Sequence, residues 1–202
     1  MTLDQFRPAV SGVLSPSVRL AQRLGLTPNG VSVIAFVLAI AAAVAFAAAP
    51  RVDRLLYLAG AAGVVCNGWL DLVDGELARE TGTGGPKGDL LDHVLDRYAD
   101  VVLIAGLAAG VEQYALGFGA VTGVLMTSYL GTQAQAVGLD RVYGGLVGRA
   151  DRHALVVLVG IVAAFVSRSA AGLTVVGWLL VFFAAVGHFT ALQRFYYAYR
   201  AL

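Results

Sequence analysis

The sequence predicts an all-α integral membrane protein, with six transmembrane helices behind an N-terminal amphipathic juxtamembrane helix. Three observations carry this. Of 202 residues, 58% are hydrophobic and only 13% charged, where a soluble domain carries about 25% charged residues; mean hydropathy is +0.77. Six apolar stretches approach the roughly 20 residues that span a bilayer core as helix. None of them alternates with period two, as a barrel strand would.

The elements follow in order. Residues 1–29 mix Arg7, Arg19 and Arg23 with Val13, Leu14, Val18, Leu20 and Leu24, the pattern of a segment lying on a membrane surface, and end at Thr27-Pro28-Asn29. The six stretches run approximately 31–49, 55–76, 89–111, 114–137, 153–167 and 171–193. Only helices and closed barrels satisfy their backbones in lipid, so each stretch reads as a helix. Ala45-Phe46-Ala47-Ala48-Ala49 imitates a signal-peptidase site, but the stretch before it is long enough to span and further spans follow, so a retained first helix is expected. The length fits one domain over 1–202, with the six-helix core at 30–202.

Charge gives the orientation. With the N-terminus in the cytoplasm, that side receives Arg7, Arg19, Arg23, Arg79, Lys87, Arg97, Arg141, Arg149, Arg152, Arg194 and Arg200. The opposite side receives Arg51, Arg54 and Arg168. Eleven against three is a strong positive-inside bias, which places both termini in the cytoplasm at the cell membrane. The net charge of +1 points to no nucleic-acid partner. The single cysteine, Cys66, has no companion for a disulfide or a metal and reads as a small apolar residue.

The acidic residues are concentrated. Eight of the 13 fall between Asp71 and Asp100: Asp71, Asp74, Glu76, Glu80, Asp89, Asp92, Asp96 and Asp100. Leu55 to Leu70 leads directly into Asp71, and Asp100 directly into Val101-Val102-Leu103-Ile104. A carboxylate at such depth costs a few kcal/mol or more unless it is paired, solvated or bound to a cation, so the cluster implies a polar cavity. Asp71, Asp74 and Ala78 share one face of the second helix; Gly88, Asp92 and Asp96 share one face of the third. The turn between them holds Gly82, Gly84, Gly85 and Pro86, which makes the helices antiparallel neighbours. Two aspartates from each helix then face one another. Hard oxygen donors without accompanying cysteine or suitably spaced histidine suit one or two Mg²⁺ or Mn²⁺ ions, which neutralise the mutual repulsion. Gly75 and Gly88 leave room for close approach of a ligand or a backbone.

Asp71-x2-Asp74-Gly75-x2-Ala78-Arg79-x8-Gly88-x3-Asp92-x3-Asp96 matches every position of the signature of the CDP-alcohol phosphotransferases, a family that the chain resembles over most of its length. The resemblance implies a juxtamembrane segment, six transmembrane helices, a homodimer, and transfer of a phosphoalcohol group from a CDP-linked lipid to an alcohol with release of CMP. It implies that Asp71, Asp74 and Asp92 bind metal bridging the diphosphate, and that Asp96 touches a second metal and acts as base toward the acceptor hydroxyl. Gly75, Ala78, Arg79 and Gly88 then lie along the CDP moiety. Asn29-Gly30-Val31-Ser32 resembles the nucleotide-contacting segment before the first transmembrane helix, and Gly85 stands where some members place a hydroxyl residue near the nucleotide.

The acceptor is less sharply drawn. The segment Ser128–Leu139, Gly148-Arg149-Ala150-Asp151-Arg152 and Gln193-Arg194 resemble the phosphatidylinositol-phosphate and archaetidylinositol-phosphate synthase branch. That implies that Arg149, Arg152 and Arg194 hold an acceptor phosphate, for which guanidinium forks are well shaped. The lysine and nearby arginine of that branch fall here at Gly131 and Gln133. Inositol phosphate is favoured, with glycerol 3-phosphate or another alcohol such as serine as alternatives, and the lipid is a diacylglycerol or archaeol type.

Plainer readings stand beside these. Arg149 and Arg152 also suit simple positive-inside topology, and Arg194 suits snorkelling beside Tyr196, Tyr197 and Tyr199. His93 reads as a packing or hydrogen-bonding residue, and His188 as an interhelical hydrogen-bond residue. Two other classes place carboxylates in membranes. An intramembrane prenyltransferase puts its aspartate motifs on distant helices; a cation transporter has no need to confine them to one end.

Overall fold

Seven α-helices form among the described residues of the computed structural model, which are 7–140 and 147–202. They are α1 (Arg7–Arg23), α2 (Pro28–Ala48), α3 (Leu56–Thr81), α4 (Pro86–Gly110), α5 (Tyr114–Ala136), α6 (Arg149–Phe165) and α7 (Val175–Ala201). No strand occurs among those residues beyond the single bridge of Ala170 with Leu173. Arg141, counted in the charge bias above, lies outside them.

Local chemistry sets the ends. The Thr27 hydroxyl accepts from Gly30 N at 3.1 Å, and Pro28 opens α2 with its φ already helical. Asn29, Gly30, Val31 and Ser32 therefore form the first turn of α2. The sequence reading put this segment before the helix because polar residues conceal a helix start that the cap enforces. Gly82 closes α3 in the left-handed conformation at φ 64°, and Pro86 opens α4. Four residues, Gly82 to Gly85, thus separate two long antiparallel helices.

Packing arranges α2 against both α3 and α4, α5 against α7, and α3 against α6. Small residues let these backbones close up. A Cβ at Gly106 of α4 would collide with the Ala43 backbone of α2, and one at Gly187 of α7 would lie 2.7 Å from the Gly123 carbonyl carbon of α5. The main core gathers Phe46, Tyr57, Val64, Leu103, Leu107 and Leu180. A smaller cluster fixes α1: its Leu14, Val18 and Ala21 pack on Val31, Val73 and Leu77 of α2 and α3. Trp69 Nε1 donates to Ser17 Oγ at 3.1 Å, and Gln22 Nε2 to Glu80 at 2.9 Å, so α1 is tied to the acid-bearing half of α3.

Four helices, α2, α3, α5 and α7, are long and apolar enough to cross a membrane. Their outward faces carry Val33, Val37, Val44, Met126, Phe182 and Phe189, all exposed. In α2, only 39% of the most apolar window is buried within the protein, so the remainder needs an apolar surrounding. Charge and length set α4 and α6 apart from these. Asp89, Asp92, Asp96, Arg97 and Asp100 all fall within the first fifteen residues of α4, and α6 has 17 residues.

Candidate active site

The acidic cluster assembles as a pocket at one end of the bundle, walled by α2, α3, α4 and the first turn of α6. Ser32, Asn67, Asp71, Asp74, Asp92, Asp96 and Arg149 line it. Helical spacing makes this possible: Asn67, Asp71 and Asp74 project from one side of α3, and Asp92 and Asp96 stand one turn apart on α4. One carboxylate oxygen from each of Asp71, Asp92 and Asp96 lies within 4.8 Å of the others.

Asp74, the fourth aspartate of the sequence pattern, lines the same pocket but is held separately. It is 6% exposed, and its Oδ2 accepts from Ser32 Oγ at 2.6 Å. Ser32 reaches it from the first turn of α2, which gives that turn a direct role in shaping the site. Asn29 is exposed at the rim, and a Cβ at Gly88 would sit 3.4 Å from Asn29 Oδ1. The start of α2 and the start of α4 therefore meet over the pocket.

Cationic side chains balance the carboxylates. Arg149 Nη1 lies 2.7 Å from Asp71 Oδ1, and its Nη2 lies 2.7 Å from Asp96 Oδ1. One guanidinium thus links α3, α4 and α6. Its helix start is fixed by Asp151, whose Oδ2 accepts from Gly148 N at 2.8 Å. Arg152, one turn on, donates from Nη2 to Asp100 Oδ2 at 2.8 Å.

Arg152 also lines a second pocket with Thr127, Val147, Gly187 and Thr190, between α5, α7 and the start of α6. Arg194 does not line it but donates from Nη1 to the carbonyl of Thr127, a residue of its wall, at 2.6 Å. The Nε atoms of Arg149 and Arg152 are buried donors with no hydrogen-bond partner among the described residues. Such donors are costly to leave unmet.

The remaining sequence candidates divide. Gly75 has open space above it, with only Arg79 Nη1 at 3.8 Å from a built Cβ, and Gly85 has nothing within 4 Å. Both leave the pocket mouth clear. Ala78 is half-buried beside the buried Leu77, and Arg79 is exposed and paired with Glu76 at 2.6 Å, so it is poised at the rim rather than inside. Gly131 is buried in α5 and Gln133 exposed. His93 Nδ1 is hydrogen-bonded at 2.8 Å to the Asp89 carbonyl, and His188 Nε2 to Thr122 Oγ1 at 3.2 Å across α5 and α7, as expected for structural histidines.

Two residues that sequence reasoning gave no role belong to the arrangement. Asp100 extends the Asp92, Asp96 spacing by another turn and is 4% exposed. Arg97 lies 3.6 Å from Asp100 and 3.8 Å from Asp96, and donates to Ser128 Oγ of α5 at 2.6 Å. The continued four-residue period was the available signal.

Three clustered hard oxygen donors, a fourth alongside and no cysteine or histidine among them fit Mg²⁺ or Mn²⁺. The family model for CDP-alcohol phosphatidyltransferase matches residues 25–190, which contain both pockets. The chain belongs to the CDP-alcohol phosphatidyltransferase family. It is a membrane transferase of phospholipid biosynthesis. The archaetidylinositol phosphate synthase of Methanothermobacter thermautotrophicus is 30% identical over 99% of this chain and 95% of its own length. The phosphatidylinositol phosphate synthase of Mycobacterium marinum is 31% identical over 76% of this chain and 66% of its own.

Solved structures agree. Mycobacterium tuberculosis phosphatidylinositol phosphate synthase in complex with manganese and citrate superposes with a TM-score of 0.78 at 25% identity, covering 92% of this chain and 88% of that one. The same enzyme with CDP-DAG bound gives 0.76 at 26% identity, covering 93% and 94%.

Proposed function

We propose that this chain transfers the phosphatidyl-type group of a CDP-lipid, diacylglycerol or archaeol in kind, to inositol phosphate, releasing CMP. The observation that carries the reading is the convergence of Asp71, Asp92 and Asp96 within 4.8 Å, beside two buried arginine Nε donors that have no partner among the described residues. One set suits a metal-bound diphosphate, the other a second phosphate. The neighbour holding CDP-DAG and the one holding manganese support the first, and the relatives named as inositol phosphate synthases support the second.

In this reading Asp71, Asp74, Asp92 and Asp96 hold two divalent ions. When bound, those ions supply charge neutralisation on the diphosphate and stabilise departing CMP. Asn29, Gly30, Val31 and Ser32, with Gly75, Ala78, Arg79, Gly85 and Gly88, border the CDP moiety at the open rim. Asp96 takes the proton from the acceptor hydroxyl. That oxygen forms a new bond to the lipid-side phosphorus as the bond from this phosphorus to the CMP oxygen breaks. Arg149, Arg152 and Arg194 grip the acceptor phosphate, so the hydroxyl is held in line before reaction.

The membrane arrangement follows the same logic. The short α3–α4 and α4–α5 links, with α4 of 25 and α6 of 17 residues between crossing helices, favour six crossings. With α1 on the inner surface, the pocket and both termini lie on the cytoplasmic side, in a single domain that pairs as a homodimer. A CDP-lipid then keeps its chains in the bilayer while its head group enters the pocket.

The test uses purified protein, CDP-diacylglycerol or CDP-archaeol, Mg²⁺ or Mn²⁺, and a panel of inositol phosphate, glycerol 3-phosphate, inositol and serine. CMP release and the lipid product are measured. The reading expects inositol phosphate to give the highest kcat/KM. A clear preference for glycerol 3-phosphate or serine reassigns the acceptor, and no CMP release with any pair removes the reading.

A further inference from the structure

Between the two pockets lies a buried carboxylate that neither uses directly. Asp100 stands one turn beyond Asp96 on α4 and is 4% exposed. Its Oδ2 accepts from Arg152 Nη2 at 2.8 Å and lies 3.6 Å from Arg97 Nη2. Arg97 in turn donates to Ser128 of α5 at 2.6 Å. One carboxylate group therefore ties α4 to α6 directly and to α5 through Arg97.

The geometry points to Asp100 as a positioning residue that sets Arg152 for the acceptor phosphate, an assignment that rests on the function proposed above. A guanidinium in a dry wall is unstable without a counter-charge, and its many rotamers would cost binding energy if it were free. Asp100 removes both costs. It engages one Nη of Arg152, while Nε is buried and, among the described residues, without a partner; Arg152 lines the same pocket as Thr127 and Thr190. The fork is thus anchored on one side and still has a donor to give. Asp100 is already shared between two guanidinium groups, which separates its work from that of the metal-facing Asp71, Asp92 and Asp96.

The test compares Asp100→Asn and Asp100→Glu with the unaltered protein, using CDP-diacylglycerol with inositol phosphate against free inositol and glycerol 3-phosphate against free glycerol. CDP-diacylglycerol binding in the presence of Mn²⁺ serves as the check that each variant is folded. The expected result for Asp100→Asn is a KM for the phosphorylated acceptor raised tenfold or more. The KM for CDP-diacylglycerol stays within twofold, and the preference for phosphorylated over free polyol collapses. Asp100→Glu, which keeps the charge, restores most of that preference, and it decides the matter if the Asn variant does not fold. An unchanged preference in Asp100→Asn, equal KM increases for donor and acceptor, or a Glu variant that folds but regains nothing overturns the assignment. No turnover by the unaltered protein with any acceptor would instead overturn the proposed function.

Discussion

Arg149, the first residue of α6, places its Nη2 2.7 Å from Oδ1 of Asp96, while Nη1 sits at the same distance from Asp71. The residue assigned as base and a residue assigned to metal are thus bridged by a single cation whose Nε, like that of Arg152, has no partner among the described residues. On the proposed function, a divalent ion would compete with Arg149 for the same carboxylate oxygens.

That competition has a measurable sign. Arg149→Ala removes charge-assisted hydrogen bonds worth about 1.5–3 kcal/mol each, so Mn²⁺ should bind roughly tenfold tighter or better while turnover falls. A metal titration of the purified variant checks this. Weaker Mn²⁺ binding would mean that Arg149 organises the carboxylates instead of competing for them.

Asp96→Asn keeps the size of the side chain but cannot take a proton. Turnover should drop by about 10²–10⁴, with CDP-lipid still bound. Single-turnover CMP release alongside lipid-binding measurements separates the two effects, and near-normal turnover would remove Asp96 from the base role.

Arg194 braces the second pocket through the Thr127 carbonyl. Arg194→Ala should raise the KM for a phosphorylated acceptor about tenfold, the loss of one charged hydrogen bond, and leave the KM for CDP-lipid unchanged. An unaltered acceptor KM would return Arg194 to snorkelling at the interface.

Gly106 has no space for a side chain, because any Cβ meets the Ala43 backbone of α2. Gly106→Val should destabilise the fold by about 1–3 kcal/mol through overpacking. It acts at the α2–α4 contact, well along α4 from Asp96. Thermal unfolding in detergent should show the loss, and an unchanged midpoint would mean that the helices separate at no cost.

Much of this was legible in the sequence, for identifiable reasons. Apolar length and four-residue spacing are local, so α3, α4 and the shared face of Asp92 and Asp96 could be read directly. The start of α2 was hidden because Asn29 and Ser32 are polar, although Thr27 and Pro28 cap a helix there. Apolar length also differs from helix length. The sixth stretch was drawn to 193, whereas α7 continues to Ala201, since hydrogen bonding persists where lipid contact ends. Least legible were contacts between distant residues. That Arg149 reaches Asp71, that Ser32 holds Asp74 and that Asp100 anchors Arg152 depend on how α2, α3, α4 and α6 pack, which no local pattern encodes.

The central claim is that carboxylates of α3 and α4 hold divalent ions in one pocket, and Mn²⁺ binding followed by electron paramagnetic resonance tests it most directly. The account predicts up to two bound Mn²⁺ per chain in the unaltered protein, with tight binding lost in Asp71→Asn and Asp92→Asn. Unchanged stoichiometry and affinity in both variants would contradict it.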